Sequence, residues 1–223
     1  MQSWGLSDQG CVRKQNQDAF HIEQLDRSTV LCVVCDGMGG AKSGNIASTL
    51  AVDVFVQEVR RCWKPSLDRE KTDQMLLSAA KLANFTVFDQ AQQFMEFDGM
   101  GTTLVAALVR GRNATIANVG DSRAYEINSE GIHQITTDHS LVQMMVDRGE
   151  LAPEQAKSYP GKNFLYRVKR RSARPYASFG TRLRKIQYSR KCRSSRYDQD
   201  GEMGKEPQRH ESRHKFSYRC PEM

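Results

Sequence analysis

The chain predicts an α+β protein in which sheet packs against helix. Three observations carry that expectation. The apolar run 30–35 ends abruptly on Asp36 in the segment Asp36-Gly37-Met38-Gly39-Gly40. Two long stretches, 45–61 and 68–93, then repeat apolar residues at helical spacing. From Thr102 to Ile135, short β-type runs alternate with turn residues. A strand, two helices and a strand meander indicate a sheet-and-helix sandwich and argue against a simple βαβ array.

The elements come in this order. The run 29–35 is rich in Val, Leu and Cys and reads as a strand. In the first helical stretch, Ile46, Leu50, Val54 and Val59, with Ala47, Ala51 and Phe55, form an apolar stripe. Pro65 ends it. Asp68 is placed to cap the second, which carries Met75, Leu76, Ala79, Ala80, Leu82, Ala83, Phe85 and Val87. Residues 102–109 and 114–119 read as a hairpin around the turn 110–113. Gly120-Asp121-Ser122-Arg123 breaks the second strand, 124–127 resumes, 129–131 turns, and 132–135 forms a short strand. Residues 140–148 return to helical spacing.

With 223 residues the chain is long enough for a real core. It has no run of 18 apolar residues and no basic-then-apolar leader, so neither a membrane span nor a signal peptide is expected. Six cysteines are present, and Cys32 and Cys35 fall on opposite faces of one strand. They read as buried free thiols of a reducing cytoplasm, without zinc or redox roles. The net charge of +7 is unevenly divided. Residues 1–163 hold 16 Lys+Arg and 20 Asp+Glu, whereas residues 164–223 hold 17 and 6.

Four local constellations bear on chemistry. Asp36 stops a strand in a Gly-rich turn, which offers a carboxylate and bare carbonyls to a hard cation; an ordinary turn is the alternative. Arg13 and Asp18 lie five residues apart. A guanidinium grips phosphate oxygens in a fork, but a solvated loop explains the same residues. Gly101-Thr102-Thr103 reads as a strand start more readily than as a ligand. The break at Gly120-Asp121 suggests a bulge that turns Asp121 inward, or an Asp–Arg salt-bridged turn. His139, in Asp138-His139-Ser140, reads as a backbone-satisfying turn residue before a proton carrier.

Taken in order, these segments resemble the metal-dependent protein serine/threonine phosphatases (the PPM, or type 2C, family) in their bacterial single-domain form. Gly5-Leu6-Ser7-Asp8-Gln9-Gly10 looks like that family's opening strand. The segments at 149–151 and 160–163 resemble its flap region and the stretch just after the flap. The resemblance covers about residues 3–163. It implies a β-sandwich of two antiparallel sheets flanked by helices, incomplete here at the C-terminal end. It also implies a centre of two Mn²⁺ or Mg²⁺ ions, with a third in bacterial members. By position, Asp36 would bridge the metals and the Gly37 carbonyl would help bind one. Asp18 would hydrogen-bond metal waters, Arg13 would hold the substrate phosphate, and Asp121 would serve the third ion. The implied activity is metal-dependent dephosphorylation of phosphoserine and phosphothreonine proteins, the substrates of a Ser/Thr kinase, by a cytoplasmic monomer.

The family pattern stops near Asn163. Its later Ser-Asp-Gly strand and Asp-Asn pair, which supply metal carboxylates, have no counterpart here. Asp198 and Asp200 lack a preceding apolar strand. We therefore divide the chain into a partial phosphatase domain, 1–163, and a basic tail, 164–223, with no period of 2 or 3.6. A shift of reading frame near Phe164 accounts for the abrupt change. A genuine disordered tail that binds nucleic acid or an acidic partner is the alternative. Impaired turnover is expected, and a catalytically inactive binding module is the other functional reading.

Overall fold

Strand formation begins one element earlier than the apolar pattern predicts. In the computed structural model, β1 (Asp18–Asp26) pairs antiparallel with β2 (Thr29–Met38). The β1 segment mixes Phe, Ile and Leu with His, Glu and Gln, so its own periodic signal is weak. Pairing with the strongly apolar β2 satisfies its backbone donors and acceptors. The structure describes residues 1–13, 15–156, 158–159 and 182–187, with backbone alone for 40–42 and 182–187. All of these belong to the compact unit Met1–Ser189; the second unit, Arg190–Met223, lies outside the described residues.

Three more strands, β3 (Gly101–Thr102), β4 (Leu104–Arg110) and β5 (Asn113–Val119), come after the helices. With β8 (Arg182–Gln187) they complete a six-stranded antiparallel sheet ordered β1-β2-β4-β5-β8, with β3 beside the end of β2. A separate antiparallel pair, β6 (Tyr125–Asn128) and β7 (Gly131–Gln134), makes the second sheet. The expected α+β arrangement of two antiparallel sheets with helices is therefore present.

Helix α1 (Gly40–Cys62) starts six residues before Ile46, the first residue of its apolar stripe, directly after Gly39. Gly39 has φ 139°, and a Cβ there would stand 2.8 Å from the Met100 Cα, so only glycine fits. Helix α2 (Arg69–Gln93) is capped as predicted: the Asp68 carboxylate accepts from the Lys71 N–H at 2.8 Å. Helix α3 (Leu141–Asp147) is capped by Ser140, and α4 (Pro153–Ala156) is a single turn.

The core sits between α1, α2 and one face of the main sheet, with Phe55, Leu31 and Leu76 fully buried. Strand β4 divides by alternation. Leu104, Ala106 and Leu108 join that core, while Val105 packs on the other face with Ala114, Ile116 and Ile135. Cys35 is buried in the main core, and burial pushes its thiol up to about 12. The four described cysteines, Cys11, Cys32, Cys35 and Cys62, are free thiols.

Two expectations change. Residues 5–10 form no strand: Asp8 instead accepts from the Gly10 N–H at 2.7 Å, a local turn that competes with ladder formation. Within 164–223, where no period survives, Arg182–Gln187 pairs along β5, with Leu183 opposite Ala117 and Ile186 opposite Ala114. The open edge of β5 accepts backbone partners without regard to side-chain period. The 163/164 boundary, Cys192, Cys220, Asp198 and Asp200 lie outside the described residues. Among the described residues, no helix is long and apolar enough to cross a membrane.

Candidate functional site

The end of β2 and the start of β1 form the floor of the site. Asp18 is the first residue of β1, and its Cα partner across the ladder is Asp36. Residues directly opposite in an antiparallel pair project to the same face, so two carboxylates meet there. Like charges in that position destabilise the pair. The chain holds them together through backbone contacts. The Gln17 carbonyl accepts from the Gly37 N–H at 3.0 Å and from the Ser48 hydroxyl at 2.7 Å. Asn16 accepts from the Asp18 N–H at 3.0 Å. Gly37 is buried, and a Cβ on it would collide with the Gly44 carbonyl at the start of α1. Any larger residue would push α1 away from the Asp36 turn.

The electrostatics of Asp36 report the company it keeps. Partial desolvation pushes its carboxyl above the ordinary aspartate value, and the facing Asp18 pushes it further, by charge and by a hydrogen bond to the protonated form. Arg13 pulls in the opposite direction, and Asp121 adds a smaller upward push. Charges as far as 108 positions apart in sequence, Arg13 and Asp121, thus both act on the Asp36 carboxyl. All four candidate side chains, Arg13, Asp18, Asp36 and Asp121, are brought to one end of the sheet.

The Asp121 loop owes its shape to Gly120 and His139. Gly120 has φ 102°, and a Cβ on it would stand 2.7 Å from the Thr103 Cγ2. The Gly120 N–H donates to His139 Nδ1 at 3.2 Å, and the Gly120 carbonyl accepts from the His139 N–H at 2.9 Å. An Nδ1 that accepts carries no proton, so His139 serves here as a backbone-satisfying residue. Arg123 binds Asp138 in a two-pronged pair at 2.9 and 2.7 Å. That pairing replaces the Asp121–Arg123 turn that the sequence allows, and it leaves Asp121 to the Asp36 side.

The sequence marks Thr103 only as an ordinary strand residue. In the fold it is 1% exposed and touches both the end of β2 and the Asp121 loop. Its Oγ1 accepts from the Asp36 N–H at 2.9 Å, and its N–H donates to the Asp36 carbonyl at 2.9 Å. The same Oγ1 lies 2.7 Å from the Ser122 hydroxyl. Thr102 Oγ1 also donates to the Asp36 carbonyl, at 3.0 Å. Nothing in a single sequence marks such a contact, because Thr103 lies 67 positions from Asp36.

The donor set suits a hard divalent cation in kind: carboxylate oxygens, a backbone carbonyl, and an unrelieved repulsion between Asp18 and Asp36 that a cation would remove. It is open in number. Among the described residues, no group of three or more His, Cys, Asp or Glu side chains stands close enough to hold a metal.

Comparison with known proteins shows the family of the chain. Residues 12–152 match the protein phosphatase 2C family. Over 165 residues the chain is 35% identical to the serine/threonine phosphatase stp of Listeria monocytogenes, covering 73% of this chain and 64% of that protein. It is 32% identical over 166 residues to the serine/threonine protein phosphatase PstP of Mycobacterium tuberculosis, covering 73% of this chain and 30% of that one. The crystal structure of the serine/threonine phosphatase Stp1 from Staphylococcus aureus superposes with a TM-score of 0.70 at 37% identity, covering 82% of this chain and 69% of that chain. The S. agalactiae serine/threonine phosphatase gives 0.71 at 30% identity, with coverage of 82% and 73%. The chain spans less than two thirds of the Listeria relative's length. The matched span 12–152 holds Arg13, the Asp18–Asp36 pair and Asp121, and on that match the chain belongs to the protein phosphatase 2C family.

Proposed function

We propose that the chain removes phosphate from phosphoserine and phosphothreonine side chains of proteins, with Mn²⁺ or Mg²⁺ as its cofactor and with reduced turnover. The observation that carries this reading is the Asp18–Asp36 pair, set directly opposite in one ladder and sensed by both Arg13 and Asp121. Asp36 and the Gly37 carbonyl are the residues that would hold the ion, which when bound supplies Lewis acidity and an activated water. Asp18 accepts the hydrogen bond of a water held beside Asp36 and so orients it. The Arg13 guanidinium grips the phosphate oxygens and offsets charge that builds on them in the transition state. Asp121 serves the weaker, outer position.

Reduced turnover follows from the family's Ser-Asp-Gly strand and Asp-Asn pair, which have no counterpart in this sequence, so that Asp18 and Asp36 lack those carboxylate partners and the site is open. The same openness favours a second reading, a module that binds phosphoproteins without turning them over. The partners on either reading are phosphorylated targets of a Ser/Thr kinase, met by a cytoplasmic monomer through domain 1–163. Residues 164–223 are basic in composition, and nucleic acid is the alternative partner for them.

The full chain, assayed on p-nitrophenyl phosphate and on a phosphothreonine peptide, tests this. We expect turnover that needs Mn²⁺, is lost in Asp36→Asn, and falls well below that of the S. aureus protein. Turnover indifferent to Mn²⁺ or to Asp36→Asn overturns the metal assignment. A rate equal to that protein's overturns the impairment. Peptide binding without any turnover selects the binding module.

A further inference from the structure

We propose that Thr103 is a positioning residue that couples the Asp36 turn to the Asp121 loop and so sets the affinity of the site for divalent cations. The inference rests on the metal reading above but can be tested apart from it. Thr103 is almost fully buried, so each of its polar contacts replaces water. Its Oγ1 accepts from the Asp36 N–H, which leaves the single hydroxyl proton to point elsewhere. Among the described residues, Ser122 Oγ lies within reach at 2.7 Å, next to Asp121. Its methyl fills the space that a side chain on Gly120 would need. Thr103 therefore meets three residues of the two loops with three different parts of itself: N–H, hydroxyl and methyl.

The consequence is mechanical. If Asp36 shifts, the hydroxyl carries the shift to Ser122, and the packed methyl transmits it to Gly120. Two carboxylates on separate segments, Asp36 near the end of β2 and Asp121 in the loop after β5, then keep a fixed spacing without touching a common ligand. Residues that orient metal-binding groups in this way typically change metal affinity by about 10- to 100-fold when altered.

Three variants dissect the contact in the full chain, with Mn²⁺ as the probe and free Mn²⁺ read by its electron spin resonance signal. Thr103→Val keeps the shape and loses the hydroxyl. We expect it to weaken Mn²⁺ binding at least about tenfold. Thr103→Ser keeps the hydroxyl, and we expect affinity within about threefold of the parent. Ser122→Ala, at a less buried position, removes the far end of the bridge and is expected to fall between them. Combined with Asp121→Asn, Thr103→Val is expected to lose less than it does alone, because both act through one junction.

Backbone amide shifts, recorded without metal, read the linkage itself. Thr103→Val should move the amides of 120–122 together with those of 36–37. Shifts confined to 36–37, or a Ser variant that binds Mn²⁺ as poorly as Val, overturn the proposal. Linked shifts in a parent chain that binds no Mn²⁺ uphold the coupling and overturn the metal assignment instead. If Thr103→Val does not fold, Ser122→Ala decides: unchanged Mn²⁺ affinity and unchanged amides at 36–37 overturn the coupling.

Discussion

Gly120→Ala offers a direct measure of how tightly the Asp121 loop is seated. Two costs add at this position. The first is backbone conformation: φ 102° lies where an L side chain is strained, at about 1–3 kcal/mol. The second is space. The new Cβ would meet Thr103 Cγ2 at 2.7 Å and Thr103 Cβ at 2.9 Å, and Thr103 is buried on all sides. Overpacking of that kind costs about 1–3 kcal/mol. The total, about 2–6 kcal/mol, is a large share of a typical domain's stability. Gly111→Ala is the matched control. It has φ 58° with nothing within 4 Å of its Cβ position, so it carries only the left-handed cost of about 1–2 kcal/mol.

Urea unfolding of both variants, with equal slopes, separates the two terms. Gly120→Ala should lose at least about 1 kcal/mol more than Gly111→Ala. Adding Thr103→Ser should return part of the difference, since it removes the methyl at 2.7 Å and keeps the atom at 2.9 Å. Equal losses in the two glycine variants would refute the tight contact, and so would a Thr103→Ser change that rescues nothing.

The remaining predictions concern charge, capping and the α1–α2 connection. In metal-free buffer, Asp36→Asn should stabilise the fold in a pH-dependent way. The native carboxyl lies above its ordinary value of 3.8, so its ionisation costs stability as pH rises from about 3.8 through the raised native value. The Asn variant should match the parent below that window and exceed it above; a constant difference across the acid-to-neutral range in thermal melts would contradict this. Asp68→Ala removes the α2 cap and should lower stability by about 1 kcal/mol, seen as an earlier urea midpoint, while Asp68→Asn should lose less. Arg110→Ala should cost about 2 kcal/mol, since Arg110 donates to the Leu67 carbonyl at 2.7 Å and to that of Pro65, and lies 5.6 Å from the Trp63 ring centre. Trp63 fluorescence should change in that variant; an unaltered spectrum with unaltered stability would show that the connection holds without it.

Much of the fold was legible in residue order. Helix α2 with its Asp68 cap, the β4–β5 hairpin, the β6–β7 pair and the α3 helix all accord with local periodicity and turn chemistry. These signals are local, so a linear reading captures them. Strand β1 was not legible, because its mixed composition gains strand character only beside β2. Strand β8 was hidden for a similar reason: Arg182–Gln187 shows no alternation, and the edge of β5 alone supplies its partners. The expected strand at 5–10 failed because Asp8 closes a local turn.

The candidate site divides in the same way. Local pattern drew attention to Asp36, which ends an apolar run in glycines, and to Asp121 in a Gly-Asp break, but left ordinary turns as alternatives; only the resemblance to the phosphatase family implied roles for Arg13, Asp18, Asp36, Gly37 and Asp121. Tertiary structure decided how they meet. Register places Asp18 opposite Asp36, the Arg123–Asp138 pair leaves Asp121 to the Asp36 side, and Thr103 ties the two loops together. Those relations depend on strand pairing and backbone hydrogen bonds between distant parts of the chain, which no linear pattern encodes. The sequence by itself determined which carboxylates the chain carries and where they fall along it; only the fold decided that two of them, Asp18 and Asp36, face each other across one ladder, at a charge cost that a bound cation would relieve.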